Sequence, residues 1–122
     1  MRDNAFTREL RLLTPSQFQR VFSNPVRVSS PEITLLAHFN DVEHPRLGLA
    51  IAKKSIKLAC RRNRVKRVIR DSFRLNRHDF HAIDIVVISK RGIEDLSSTQ
   101  LQQLIKTLWI KLNRRCKKAL SA

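Results

Sequence analysis

The segment from Lys53 to Arg74 is basic and helically periodic at once, which describes a shaped surface for polyanions rather than a floppy tail. It holds ten of the 25 basic residues with Asp71 as its single acid, and its centre runs Cys60-Arg-Arg-Asn-Arg-Val-Lys-Arg-Val-Ile-Arg70. On a wheel at about 100° per residue, Leu58, Val65, Val68, Ile69 and Phe73 share a sector of about 140°, the width of a core-facing stripe. Asn63, Lys66, Arg67, Arg70 and Arg74 crowd the opposite side, with Arg61, Arg62 and Arg64 on the flanks and in the first turns. Like charges at i,i+3 and i,i+4 repel by a few tenths of a kcal/mol, so this face weakens the isolated helix. An anionic partner supplies the physical reason for it; an ordinary solvated face would mix signs.

The run carries +9 of the formal net charge of +15, so the charge is concentrated rather than smeared. That balance points to nucleic acid first and an anionic membrane surface second. With 122 residues, 42% of them hydrophobic, the chain is expected to form one domain over residues 1–122, with a core that needs neither metal nor disulfide. Nothing approaches the roughly 18 apolar residues of a membrane span, and Met1-Arg-Asp-Asn-Ala-Phe6 lacks the apolar run of a secretion signal. A cytoplasmic protein with no membrane partner is expected. Cys60, among arginines, and Cys116, among lysines, are then expected as free thiols. No His and carboxylate at matching spacing would make Cys60 a nucleophile.

Along the chain, Thr14-Pro15-Ser16-Gln17 predicts a helix start: Thr14 caps, Pro15 suits the first position and Gln17 completes a capping box. Leu13 and Phe18 stand where a hydrophobic staple would join. This helix should run to about Ser23 and end at Asn24-Pro25. Strands are expected at Val26 to Ser29, Ile33 to Phe39 and Leu47 to Ala52, with Asn40 to Pro45 joining the last two as a hairpin. In the third strand Leu47, Leu49 and Ile51 alternate with Gly48, Ala50 and Ala52, giving one bulky and one bare face. Gly48 signals close approach of another group to the backbone.

Asp84-Ile-Val-Val-Ile88 is apolar enough to be a central strand. Ser97-Ser-Thr-Gln100 caps a last helix whose Leu101, Leu104, Ile105, Leu108, Trp109 and Leu112 recur at core spacing. Trp109 therefore belongs to the core. The order is αβββαβα, an α+β sandwich of one small four-stranded mixed sheet with helices packed on it.

Candidate chemistry beyond the basic helix is thin. No two acids stand at metal-bridging spacing, and no glycine-rich phosphate loop occurs. His78 and His81 lack a third ligand and fall in a loop. Lys90-Arg91-Gly92 offers a second basic turn, and Arg114-Arg-Cys-Lys-Lys118 suits the negative end of the last helix. No metal site is expected.

The segment Gly48-Leu-Ala-Ile-Ala-Lys-Lys-Ser-Ile-Lys-Leu-Ala-Cys-Arg-Arg-Asn-Arg-Val-Lys-Arg-Val-Ile-Arg70 resembles the signature of the bacterial ribonuclease P protein subunit, in which a strand ending in paired lysines leads into a helix containing Arg-Asn-Arg. Leu10-Arg-Leu-Leu-Thr-Pro-Ser-Gln-Phe-Gln-Arg-Val-Phe22 is similar to that family's first helix with its two phenylalanines. Ile83 to Arg91 is similar to its last strand and basic turn.

The resemblance implies an endoribonuclease complex that removes the 5′ leader of precursor tRNA, with the catalytic groups and Mg²⁺ held mainly by an RNA subunit and the substrate. It implies no catalytic residue in this chain, two partners (ribonuclease P RNA and precursor tRNA) and no obligate protein partner. It also implies a left-handed βαβ crossover of a ribosomal-protein-like kind, where general statistics favour the right hand.

Two surfaces follow from it. Lys53, Lys54, Arg61, Arg62, Asn63, Arg64, Lys66, Arg67 and Arg70 would meet the catalytic RNA, guanidinium forks suiting phosphates. Phe18, Phe22, Gly48, Ala50, Ala52 and Lys90 would form a cleft for the single-stranded leader, with phenylalanines stacking on bases. The i,i+4 spacing of Phe18 and Phe22 beside Val21 is equally the pattern of core packing; the resemblance places at least one of them in the cleft. A small ribosomal or other structural RNA-binding protein would share the size and basicity, but not the ordered Lys-Lys to Arg-Asn-Arg motif coupled to the phenylalanine helix. A self-sufficient nuclease would need acids or histidines converging on a phosphate. A helix-turn-helix reader would need a partner helix, not a strand, before the basic one.

Overall fold

Strand β4 (Ile83–Ser89) sits inside the sheet, and every other element is placed by what it pairs with there. The structure, a computed structural model, describes residues 10–12 and 14–121. In chain order the remaining elements are α1 (Pro15–Phe22), β1 (Val26–Ser29), β2 (Ile33–Phe39), β3 (Arg46–Ala50), α2 (Ala59–Asn76) and α3 (Ser98–Ser121), with single 3₁₀ turns at Arg77–Asp79 and Ile93–Asp95. The sheet order is β1-β2-β4-β3, antiparallel except for the parallel β3–β4 pair.

The expected hairpin at Asn40 to Pro45 is not formed. It would place β2 beside β3, whereas β4 lies between them: Leu35 pairs with Val87 on one side and Leu49 with Val87 on the other. The competing force is burial. Ile83, Ile85, Val86 and Val87 are all fully buried, which an edge position would not allow, and this confirms the central role expected of that run. The hairpin that does form is β1–β2, closed by Ser30, whose hydroxyl accepts from the amides of Glu32 and Ile33. Strand β3 also starts one residue earlier than expected and stops at Ala50, leaving Ala52 in the turn beyond it.

Alternation divides the sheet into two faces. Ile33, Leu35 and Ala37 of β2, Leu47 of β3 and Ile83, Ile85 and Val87 of β4 share the larger core with Val65, Ile69 and Phe73 of α2 and Leu101, Ile105, Leu108 and Leu112 of α3. Trp109 lies in that core as expected, its ring 5.2 Å from Phe80 and its Nε1 donating to Ser72 Oγ. Among the described residues the opposite face is covered by α1 and by Leu12 before it, where Val21 and Leu12 meet Leu36 and Val86 in a smaller cluster.

Helix α1 begins as its sequence dictates: Thr14 Oγ1 accepts from Gln17 N, and Gln17 Oε1 accepts from Thr14 N. It ends at Asn24, whose left-handed φ of 56° suits asparagine and precedes Pro25. Leu13, half of the expected staple, lies outside the described residues. The Ser97–Gln100 box caps α3 in the same reciprocal way.

At the start of the parallel pair, Arg46 is opposite Asp84 in register. The guanidinium donates from Nε and Nη2 to the two carboxylate oxygens, both at 2.7 Å, and Asn40 Nδ2 donates to Oδ1 at 2.8 Å. Asp84 is fully buried, so its charge is held by these donors rather than by water. The same hydrogen bonds raise the Arg46 pKa above its ordinary value, against the opposing pull of desolvation. Asp84→Ala would leave the guanidinium buried without its counter-charge. The expected loss is about 3–5 kcal/mol of unfolding free energy in urea, with the denaturant slope unchanged.

Candidate RNA-binding surfaces

Leaving β3, the chain turns through Lys53 and Lys54, and the turn is pinned from beneath. Ala52 N donates to the buried Ser89 Oγ at 3.2 Å, and Ser55 Oγ donates to Ser89 O at 3.2 Å. Ile56 is fully buried as the anchor. Lys53 and Lys54 are thereby exposed on a short, tied loop, and neither makes a side-chain hydrogen bond or ion pair among the described residues.

Helix α2 then starts at Ala59 with Leu58 as its N-cap. The sequence places Leu58 in the apolar stripe, but it is 55% exposed, because a capping residue lies outside the helical wheel. The other four stripe residues are buried as expected.

The arginines of its first two turns face the protein itself. Arg62 Nη1 donates to the carbonyls of Ile56 and Lys57, both at 2.9 Å, clamping the lysine turn to the helix. Arg64 donates from Nη2 to Glu94 O and Leu96 O, at 3.2 and 3.0 Å, and from Nη1 to Ser98 Oγ at 3.3 Å. Arg61 pairs with Glu94 at 2.8 Å on the surface. Arg61 and Arg64 thus join α2 to the turn that opens α3. Periodicity alone puts these three on the flanks; the partners of Arg61 and Arg64 lie some 30 residues away, and those of Arg62 are carbonyls of the loop before the helix, which no helical pattern displays.

The outward face is different. Asn63, Lys66, Arg67 and Arg70 make no side-chain hydrogen bond or ion pair among the described residues, and Asn63, Arg67 and Arg70 are exposed. Farther along, Arg74 approaches Asp71 at 3.7 Å. Between α2 and the first turn of α3 lies an open groove of about 380 Å³ lined by Cys60, Asn63, Arg64, Arg67, Val68 and Ser98.

On the other side of the sheet, strand register sets out rows of side chains across the α1 face. Ser29, Thr34, Ile88 and Ala50 form one row, and Arg27, Leu36, Val86 and Gly48 the next. Phe18 fills the bare position at Gly48: a Cβ there would lie 2.6 Å from two atoms of the Phe18 ring and 3.1 Å from Leu12. The close approach signalled by this glycine is therefore by Phe18, which packs with the smaller cluster.

Phe22, one turn on, is 49% exposed. The two phenylalanines thus divide the roles that spacing leaves open, Phe18 as floor and Phe22 as an accessible ring. Ala50 is half-buried in the row beyond, and Ala52 is exposed past the strand end. Lys90 Nζ donates to Ser29 Oγ at 2.7 Å and Ser30 O at 2.8 Å, and Ser29 and Thr34 hydroxyls are 3.0 Å apart. This lysine–hydroxyl chain escaped sequence reasoning because it joins both ends of the chain's β region; only the register brings it together.

Among the described residues no three His, Cys, Asp or Glu side chains come together, and no helix is long and apolar enough to cross a membrane. Both cysteines are free: Cys60 is exposed, whereas Cys116 is buried and burial pushes its thiol pKa up to about 11.

A model of the family described as Ribonuclease P matches residues 6–113, which include every candidate site residue. Among solved structures, the RNase P protein of Staphylococcus aureus is 28% identical, with a TM-score of 0.77 and coverage of 82% of this chain and 92% of that one. The RNase P protein from Thermotoga maritima, solved in complex with 1-(4-fluorophenyl)-2-thiourea, is 26% identical, with a TM-score of 0.72 and coverage of 80% and 96%.

Three outcomes test this geometry. Gly48→Ala should displace the Phe18 ring and cost about 1–3 kcal/mol in chemical denaturation. Phe18→Ala should cost about 2–3 kcal/mol and Phe22→Ala less than about 1, because only the first loses buried contacts. In the native protein Cys60 should react with a thiol reagent near neutral pH, while Cys116 should react only after unfolding.

Proposed function

This chain belongs to the ribonuclease P protein family, and on that premise we propose that it binds the catalytic RNA through the outward face of α2 and the 5′ leader of precursor tRNA through the cleft beside α1. The observation that carries the first half is the separation of roles within one helix. Arg61, Arg62 and Arg64 hold its start against the protein, and this leaves Lys53, Lys54, Lys66, Arg67 and Arg70 around Asn63 with their donors directed to solvent. Such a face suits the backbone of a folded RNA, since phosphate contacts position a protein without requiring sequence.

The leader cleft has Phe22 as a stacking surface, with Phe18 seated over Gly48, and Ala50 and Ala52 beyond it, as a floor low enough for a single strand. Lys90, tied to Ser29, supplies positive charge at its far end. The endoribonuclease chemistry is assigned to the RNA subunit, in a cytoplasmic ribonucleoprotein. Mg²⁺ held there by the RNA and the substrate would supply charge stabilisation at the scissile phosphate. On this reading the role of this chain is to bind, orient and neutralise the RNA.

The purified chain should leave precursor tRNA uncut, and addition of a bacterial ribonuclease P RNA should restore leader removal at low Mg²⁺. Cutting by the protein alone would contradict the assignment. Within the reconstituted enzyme, Phe22→Ala should weaken binding of precursor tRNA by about 1–3 kcal/mol while leaving mature tRNA unaffected; equal losses for both would remove Phe22 from the leader site.

A further inference from the structure

We propose that the groove between α2 and α3 is a pocket for one unpaired nucleobase of the partner RNA, with the pinned Arg64 guanidinium as its platform and Asn63 as its hydrogen-bonding group. The proposal rests on the reading that α2 faces the catalytic RNA and adds a kind of contact that reading does not contain.

Phosphate binding alone does not account for this groove. Arg64 lines it, yet the Nη1 and Nη2 nitrogens of its fork already donate to Ser98 Oγ and to the carbonyls of Glu94 and Leu96. That end is closed to the two-pronged grip that arginine gives a phosphate. The same three bonds fix the guanidinium plane in one orientation before any partner arrives, and a fixed guanidinium plane is a surface on which splayed-out RNA bases stack. Val68, 7% exposed, adds an apolar wall, which a base gains from covering and a phosphate does not.

Asn63 is the neutral member of an otherwise cationic series. Its amide lines the groove and makes no hydrogen bond among the described residues, and it offers both a donor and an acceptor to a base edge. Arg67 lines the groove as well, its donors uncommitted among the described residues, so the nucleotide's own phosphate has a partner beside the pocket. The volume of about 380 Å³ lies at the small end of ligand sites, which suits one ring system.

Cys60 provides the test, because it lines the groove and is exposed while Cys116 is buried. An azidophenacyl group attached at Cys60 of the full chain, assembled with a ribonuclease P RNA and irradiated, should cross-link to one unpaired nucleotide. An RNA made abasic at that nucleotide should bind the unmodified protein roughly tenfold more weakly, and Asn63→Ala should cause a loss of similar size with the intact RNA. Combined, the two changes should cost no more than either alone. Cross-links confined to paired segments, or losses that multiply, would overturn the pocket while leaving the wider RNA-binding face intact. Failure of the unmodified protein to bind the RNA at all would instead overturn the functional reading on which the pocket rests.

Discussion

A parallel strand pair cannot be closed by a tight turn, and the pairing of β3 with β4 determines where everything functional in this chain goes. The connection must cross the sheet, and α2 is that crossover. A helix used this way has its apolar stripe committed to the core, so the charged side is turned outward by the topology itself. The Arg46–Asp84 pair, buried at the first position of the parallel ladder, fixes the register on which this depends. A one-residue slip would exchange the two faces of β3, burying Gly48 and Ala50 against the large core and opening Leu47 and Leu49 to the α1 side.

The cationic helix then has to be held in place despite its own repulsion. The arginines of its first two turns do this by bonding carbonyls of the loops on either side: Arg62 to Ile56 and Lys57, Arg64 to Glu94 and Leu96. Each clamp satisfies backbone acceptors that would otherwise be left at exposed turns. The outward charges are unbalanced by comparison: among the described residues Asp71 pairs with Arg74 and no acid pairs with Lys66, Arg67 or Arg70. That excess makes association with a polyanion favourable and dependent on salt.

Much of this was legible in the residues. The two capping boxes, the stripe of Val65, Val68, Ile69 and Phe73, the central character of Asp84 to Ile88 and the core role of Trp109 all depend on neighbours within a few positions. The hairpin expected at Asn40 to Pro45 failed because local turn chemistry cannot register that a later strand will bury more apolar surface between its arms. Leu58 was misplaced because the wheel was carried past the helix start. Gly48 announced a close approach without naming Phe18, and the carbonyl partners of Arg62 and Arg64 belong to loops whose positions only the fold supplies.

On the proposed function, one helix divides its arginines between holding the fold and meeting RNA. The salt dependence of catalytic-RNA binding measures that division directly. Replacing Arg67 and Arg70 with Ala should lower the log–log salt slope by about two, whereas replacing Arg62 and Arg64 should lower thermal stability with little change in slope. A slope unchanged by the first pair and lowered by the second would contradict the account.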